Sequence, residues 1–255
     1  MNRDPFLDDQ GQPRRLRGVT IYSGSPLLAG LAAKVGFEVV WIEMEHGPAS
    51  FERVESLCLA AKANGAVPLV RLPDGERHHV LRALESGGQI LVVPMIDTPE
   101  QARRLVEYGK FAPIGRRGFN LRTWGVEFGL AGPEAAFAQA NERNRIFAQI
   151  ETAQAVQNLD AICAVEGLDG IFIGPGDLSV SLGHPAQVNH PEVIETALKC
   201  MRRAKEAGKY TGVLVAPGAL LNAMLEAGVD LVLCGGDVVE LAAAWPKLLA
   251  SVSPK

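Results

Sequence analysis

The chain lacks the features that mark several protein classes. No run of apolar residues in its 255 positions reaches the ~18 needed to span a bilayer. The opening stretch, MNRDPFLDDQGQPRR, has no apolar core of the kind a secretory signal requires. Cysteine is scarce: Cys58, Cys163, Cys200 and Cys234 show neither metal-binding nor redox spacing, which points to buried or incidental thiols of a reducing cytoplasm. No basic block is present and the formal net charge is −4, so nucleic acid is not an expected partner. Nor is the chain short of apolar residues, which make up 47% and exclude intrinsic disorder. What it has in number are 27 glycines and 16 prolines, scattered as punctuation between many short elements.

Between these breaks two patterns alternate. Short apolar runs occur at Gly18–Tyr22, Glu38–Glu43, Val67–Arg71, Ile90–Pro94, Ile146–Glu151, Gly170–Gly174, Gly212–Val215 and Leu231–Cys234. Most are apolar throughout, as strands covered on both faces are. Stretches with helical periodicity follow near 26–36, 50–64, 76–86, 98–108, 152–164, 191–207, 217–227 and 236–250. Repeated strand–helix units imply right-handed crossovers and a parallel sheet. About eight of them over this length favour a single (β/α)₈ TIM barrel across residues 16–255, with an open doubly wound sheet as the alternative. Residues 1–15 read as a flexible N-terminal arm. Residues 111–145, including FAPIGRRGFNLRTWG, interrupt the rhythm and read as a lid, an oligomer contact or a disordered insertion.

Barrel chemistry gathers where strands run into helices. The polar residues there are Glu43, Glu45 and His46 after the second run, Arg71 after the third, Gln149 and Glu151 after the fifth, and Gly176, Asp177 and Ser179 after the sixth. Each alone has an ordinary reading as a helix cap, surface charge or structural ion pair. Together they place two carboxylates, an imidazole and a guanidinium on one rim. Glu151 and Asp177, on consecutive strands, suit a hard divalent ion such as Mg²⁺ or Mn²⁺. An ion so held would chelate a 2-oxo acid and stabilise an enolate. Arg71 would serve the same oxyanion, and His46 would move a proton. No lysine ends a strand, which argues against Schiff-base chemistry.

With the segments WIEMEHGP, PLVRLP, LVVPMIDTPEQAR, APIGRRGF, FAQIET and GIFIGPGDLSVSLG, the chain resembles, from about Leu16 to Trp245, the HpcH/HpaI aldolase family of class II pyruvate-dependent aldolases. The resemblance implies a barrel of the phosphoenolpyruvate/pyruvate type, usually a homo-hexamer built as a trimer of dimers, with the C-terminal helix exchanged between subunits. It implies Mg²⁺, Mn²⁺ or Co²⁺ as cofactor and the reversible cleavage of 4-hydroxy-2-oxo acids to pyruvate and an aldehyde through a metal-stabilised enolate. The family's metal ligands match Glu151 and Asp177, its base His46, its substrate arginine Arg71. Gln149 matches a residue near the metal and bound pyruvate, and the Gly176–Asp177 backbone matches the segment that holds the substrate carboxylate. Where many relatives carry Asp, this chain has Glu43, and Glu85 stands at the position proposed to support the histidine. Related enolate enzymes on the same scaffold, of the citrate-lyase, citrate-synthase or oxaloacetate-decarboxylase kind, are the alternative. A phosphate-binding barrel using Gly218, Gly235 and Gly236 and a non-catalytic sensor fit the rim less well.

Overall fold

The computed structural model describes residues 4–252. Eight parallel strands close into one barrel in chain order: β1 (Leu16–Ile21), β2 (Val39–Glu43), β3 (Val67–Arg71), β4 (Ile90–Val93), β5 (Arg145–Ile150), β6 (Gly170–Ile173), β7 (Tyr210–Leu214) and β8 (Leu231–Gly236). Closure comes from pairing of Leu16 with Leu231 and Gly18 with Leu233. The (β/α)₈ expectation therefore holds, and the open sheet is excluded.

The helices are α1 (Pro26–Val35), α2 (Phe51–Ala63), α3 (Arg77–Glu85), α4 (Pro99–Gly109), α5 (Pro133–Arg143), α6 (Ala153–Gln157), α7 (Leu159–Cys163), α8 (Pro175–Ser181), α9 (Pro191–Glu206), α10 (Ala219–Glu226) and α11 (Asp237–Val252). Local chemistry sets their starts. Ser25 caps α1 ahead of Pro26, and Thr98 with Gln101 forms a capping box on α4. Such caps contribute about 1 kcal/mol each. Among the described residues no helix is long and apolar enough to cross a membrane.

Strand side chains alternate between two cores. The outward set (Val40, Ile42, Val70, Leu91, Ile146, Ile171 and others) packs beneath the helices. The inward set (Leu16, Val39, Trp41, Leu69, Ile90, Val92, Phe147, Phe172, Leu231 and Leu233) fills the barrel. Two aromatic rings fit because neighbouring strands lack side chains. A Cβ at Gly170 would lie 2.5 Å from the Phe147 ring, and one at Gly212 would lie 2.5 Å from Phe172.

Three regions differ from a simple barrel. The described part of the N-terminal arm is not loose. Phe6 is 1% exposed, joins the inward core and stacks on Tyr210 at 4.1 Å. Tyr210 donates to Asp4 at 2.8 Å, and Arg145 pairs with Asp4 at 2.8 Å. One apolar ring in a polar stretch anchors it; residues 1–3 lie outside the described set.

Residues 111–145 form an ordered subassembly with their own small core of Phe111, Val126, Ala136 and Ala140. It packs on the outer side of α3, where Gly125 meets the backbone of Leu84 and Glu85. Third, α11 buries no residue and leaves Trp245, Leu248 and Leu249 more than half exposed. On α1, Leu27, Leu31 and Val35 are uncovered as well.

Candidate active site

The inward rows that are apolar in mid-barrel turn polar at the carboxyl ends of the strands. On β2 the row runs Val39, Trp41, Glu43; on β3 it runs Leu69, Arg71; on β5 it runs Phe147, Gln149 and, one residue beyond the strand, Glu151. The period of two thus delivers four chemical groups to the same layer. Glu43 and Glu151 are each 1% exposed, Gln149 is 2% and Arg71 is 8%.

Glu43 is the hub. Arg71 donates to Glu43 through Nε at 2.8 Å and pairs with it through Nη2 at 2.8 Å, while Trp41 Nε1 donates at 3.0 Å. The backbone N–H groups of Glu45 and His46 donate to its other oxygen at 2.7 and 3.1 Å. Burial pushes the Glu43 carboxyl up, but the hydrogen bonds and charge of Arg71 outweigh it and leave it below the usual range. Glu43 therefore fixes both the guanidinium and the turn that carries His46.

Glu45, which the sequence reading left without a role, bridges the groups on that turn. Its Oε2 lies 2.9 Å from Arg71 Nη1 and 3.9 Å from His46 Nε2. The His46 side chain is 62% exposed and open to the mouth.

Across the rim, Glu151 accepts from the Met95 N–H at 2.7 Å and from the Gln149 amide. Met95 holds φ at +56°, an uncommon value outside glycine, which brings the β4–α4 turn over the carboxylate. Gly174 gives the carboxylate room, since a Cβ there would sit 2.5 Å from Glu151 Oε2 and 2.8 Å from Glu151 Cβ. Burial pushes the Glu151 carboxyl up, and the charges of Asp177 and Glu45 push in the same direction. Burial also raises Glu45, with Glu43 and Asp177 adding to it against the pull of Arg71 and His46. Asp177, exposed at the start of α8, thus shares a field with both. Gly176 beside it has nothing within 4 Å of where a Cβ would project.

Glu85 is the exception among the expected site residues. No hydrogen bond or ion pair joins it to His46 among the described residues. It ends α3, lines a surface groove with Glu55, Arg82, Arg122 and Trp124, and acts on the charge of Arg117.

The residues at the mouth fit a divalent cation. The donor set is carboxylate, which suits hard ions. Glu151 and the neighbouring Glu45 are both raised by burial first, and both feel the negative charge of Asp177. Gln149 Oε1 is buried with no hydrogen-bond partner, an acceptor left for a group that enters the site.

A closed parallel barrel whose mouth gathers carboxylates, an arginine and an open histidine, with no lysine at a strand end, is a frame suited to metal-assisted carbon–carbon chemistry. The profile of the HpcH/HpaI aldolase/citrate lyase family matches residues 18–244, and the chain belongs to that family. It is 34% identical over 252 residues to the 2-keto-3-deoxy-L-rhamnonate aldolase of Salmonella gallinarum, covering 97% of this chain and 92% of the relative. It is 35% identical over 213 residues to the hydroxypyruvate/pyruvate aldolase of Roseobacter denitrificans, covering 84% and 83%. The crystal structure of an HpcH/HpaI aldolase from Desulfitobacterium hafniense superposes with a TM-score of 0.88 at 30% identity, over 94% of this chain and 93% of that one.

Proposed function

We propose that the chain reversibly cleaves 4-hydroxy-2-oxo acids to pyruvate and an aldehyde, with Mg²⁺ or Mn²⁺ held by Glu151 and Asp177. The observation that carries this reading is the buried Glu151 carboxylate, raised by its burial and then by its acidic neighbours, on the same rim as Arg71. A divalent cation there supplies Lewis acidity toward the carboxylate and 2-oxo group of the bound acid. The remaining steps fall to side chains. Arg71 donates Nε to Glu43 and forms ion pairs through Nη2 with Glu43 and through Nη1 with Glu45, and the N–H groups of its terminal nitrogens remain to serve the substrate. They stabilise the negative charge that grows on the 2-oxo oxygen as the C3–C4 bond breaks. His46 takes the C4 hydroxyl proton in cleavage and returns it in condensation, and the enolate left by cleavage takes a proton at C3 to become pyruvate, the step that methyl-proton exchange reads in reverse. Gln149 Oε1 accepts from a water or hydroxyl in the site. The backbone N–H groups of Gly176–Asp177 receive the substrate carboxylate.

One chain holds Glu85 away from His46, so Glu85 supports that histidine only across a boundary between copies. The uncovered apolar faces of α11 and α1 support assembly, with α11 docking on a neighbour in a trimer of dimers. In the segment Gly115–Trp124, Arg116 and Arg122 are exposed and available to a subunit contact, whereas Arg117 is buried over the Phe111 ring. Four unpaired thiols suit a reducing cytoplasm. The two named relatives support a pyruvate-type nucleophile and a polar aldehyde.

Exchange of pyruvate methyl protons in D₂O, followed by proton NMR, tests the reading without knowledge of the aldehyde. The wild-type protein with Mg²⁺ or Mn²⁺ exchanges them; the chelated protein and Glu151→Gln do not. Exchange that survives exhaustive chelation overturns it.

A further inference from the structure

A second group of ligating side chains lies outside the barrel mouth, in the segment that joins α8 to α9. That segment is tightly held. His184 N–H donates to Ser179 O at 2.7 Å, Gln187 N–H to His184 O at 3.0 Å and His190 N–H to Gln187 O at 2.9 Å. Asn189 Oδ1 accepts from the Leu220 N–H at 3.0 Å, which ties the segment to α10. The result brings the His184 and His190 rings to 3.5 Å between centroids and His184 Nε2 to 2.7 Å from Glu192 Oε2. One ligand atom from each of His184, His190 and Glu192 lies within 4.8 Å of the other two. The side chains of His184 and Glu192 are 24% and 57% exposed, so an ion can reach them.

We propose that His184, His190 and Glu192 form a second divalent-metal site, distinct from Glu151 and Asp177 and selective for borderline ions such as Zn²⁺. Tetrahedral zinc with bonds of ~2.0 Å sets its donors ~3.3 Å apart. The His184–Glu192 pair opens by about half an ångström to meet that spacing, and rotation of the half-exposed His190 ring brings the third donor in. Two neutral imidazoles and a carboxylate match the zinc preference for nitrogen with one oxygen and leave a fourth position for water. Mg²⁺ prefers an all-oxygen shell, so the two sites sort ions by chemistry.

Two costs oppose binding. The N-terminal end of α9 repels a cation, which the Glu192 charge in its first turn offsets. Coordination through His190 Nε2 moves the ring proton to Nδ1 and gives up the long 3.3 Å hydrogen bond from the Glu192 N–H. The site also connects to the mouth. Ser179, whose carbonyl accepts from His184, donates its hydroxyl to Gly176 O at 2.6 Å, next to Asp177. An ion on the joining segment therefore steadies the end of α8.

The test is a Zn²⁺ titration by calorimetry of the protein stripped with chelator and then saturated with Mg²⁺. The wild-type chain binds a single Zn²⁺ over the Mg²⁺ background, and its melting temperature rises. Affinity falls in His184→Gln and in Glu192→Gln by more than the ~10–100-fold that loss of a merely supporting group costs. It is unchanged in Glu151→Gln. Absence of Zn²⁺ uptake above Mg²⁺ overturns the proposal. So does uptake abolished by Glu151→Gln and kept in His184→Gln, which would send the zinc to the barrel mouth. Glu192 is exposed, so its variant decides the matter if the histidine variant is poorly folded.

Discussion

Arg71 and Glu43 face each other across β3 and β2, with Nε and Nη2 of the arginine each 2.8 Å from the same carboxylate oxygen. They are register partners in the sheet, so the backbone itself brings the two groups together. The pair does two jobs: it aims the guanidinium at the mouth, and through the N–H groups of Glu45 and His46 it shapes the turn that carries the proposed base.

Glu43→Gln keeps the shape and removes the charge. It leaves Arg71 with Glu45 as its remaining anion, so the loss in stability stays below the cost of a buried charge left with no partner, about 3–5 kcal/mol. Urea unfolding at neutral pH measures this. The pH dependence has a definite sign. The Glu43 carboxyl is held below its usual value of 4.5, so its stabilising contribution is present above the unfolded value and is lost as pH falls through the folded one. The gap in stability between wild type and Glu43→Gln therefore narrows as the medium is taken below about pH 4.5.

Glu151 behaves in the opposite way. Its carboxyl is raised by burial and by Asp177 and Glu45, so its charged form is unfavourable without a cation. Its contribution is present below the unfolded value and is lost as pH rises through the folded one. Metal-free Glu151→Gln is accordingly more stable than metal-free wild type at pH 7. Gln149 can turn its unpartnered Oε1 toward the new amide. Differential scanning calorimetry after chelation checks this. The same variant loses the metal-dependent rise in melting temperature that wild type shows. A stability gain coupled to loss of metal response is the mark of a functional carboxylate.

The positions of these groups explain what the sequence reveals and what it hides. Glu43, Arg71, Gln149 and Glu151 are visible because they continue inward rows of period two past the point where the rows stop being apolar. Glu45 is hidden because its role depends on a turn after β2, and no strand parity specifies that. Glu85 is placed by likeness alone; the helix that carries it runs down the outside of the barrel, and the sequence does not say which copy's mouth it approaches. Phe6 is missed because a single ring in a polar stretch leaves no periodicity, although the open end of a barrel binds it well. The exposed face of α11 looks from sequence like any closing helix, since its apolar residues are the same whether they cover their own barrel or a neighbour's.

Phe6→Ala tests the arm. Removing a fully buried ring that stacks on Tyr210 costs about 3 kcal/mol, less whatever the arm recovers by relaxing. Urea melts report the loss. The ring sits against the amino-terminal ends of the strands, remote from Arg71 and Glu151, so pyruvate proton exchange by the folded protein is unchanged.

The relation between His46 and Glu85 is decided by mixing subunits. His46→Ala lowers aldol cleavage by about 10²–10⁴-fold, the usual worth of a positioned acid–base group. Glu85→Ala acts through the histidine, so its loss is smaller and shifts the pH profile of kcat/KM. In the proposed trimer of dimers, each variant alone leaves every site defective. If Glu85 serves the histidine of a neighbouring copy, co-refolding the two variants creates sites with His46 from a Glu85→Ala chain and Glu85 from a His46→Ala chain, and activity recovers to a fraction of wild type. If Glu85 served its own chain, no such site could form and the mixture would stay as inactive as its parts. Recovery that scales with the mixing ratio and peaks near equal amounts is the expected outcome, because the number of complete sites depends on how often unlike copies are neighbours.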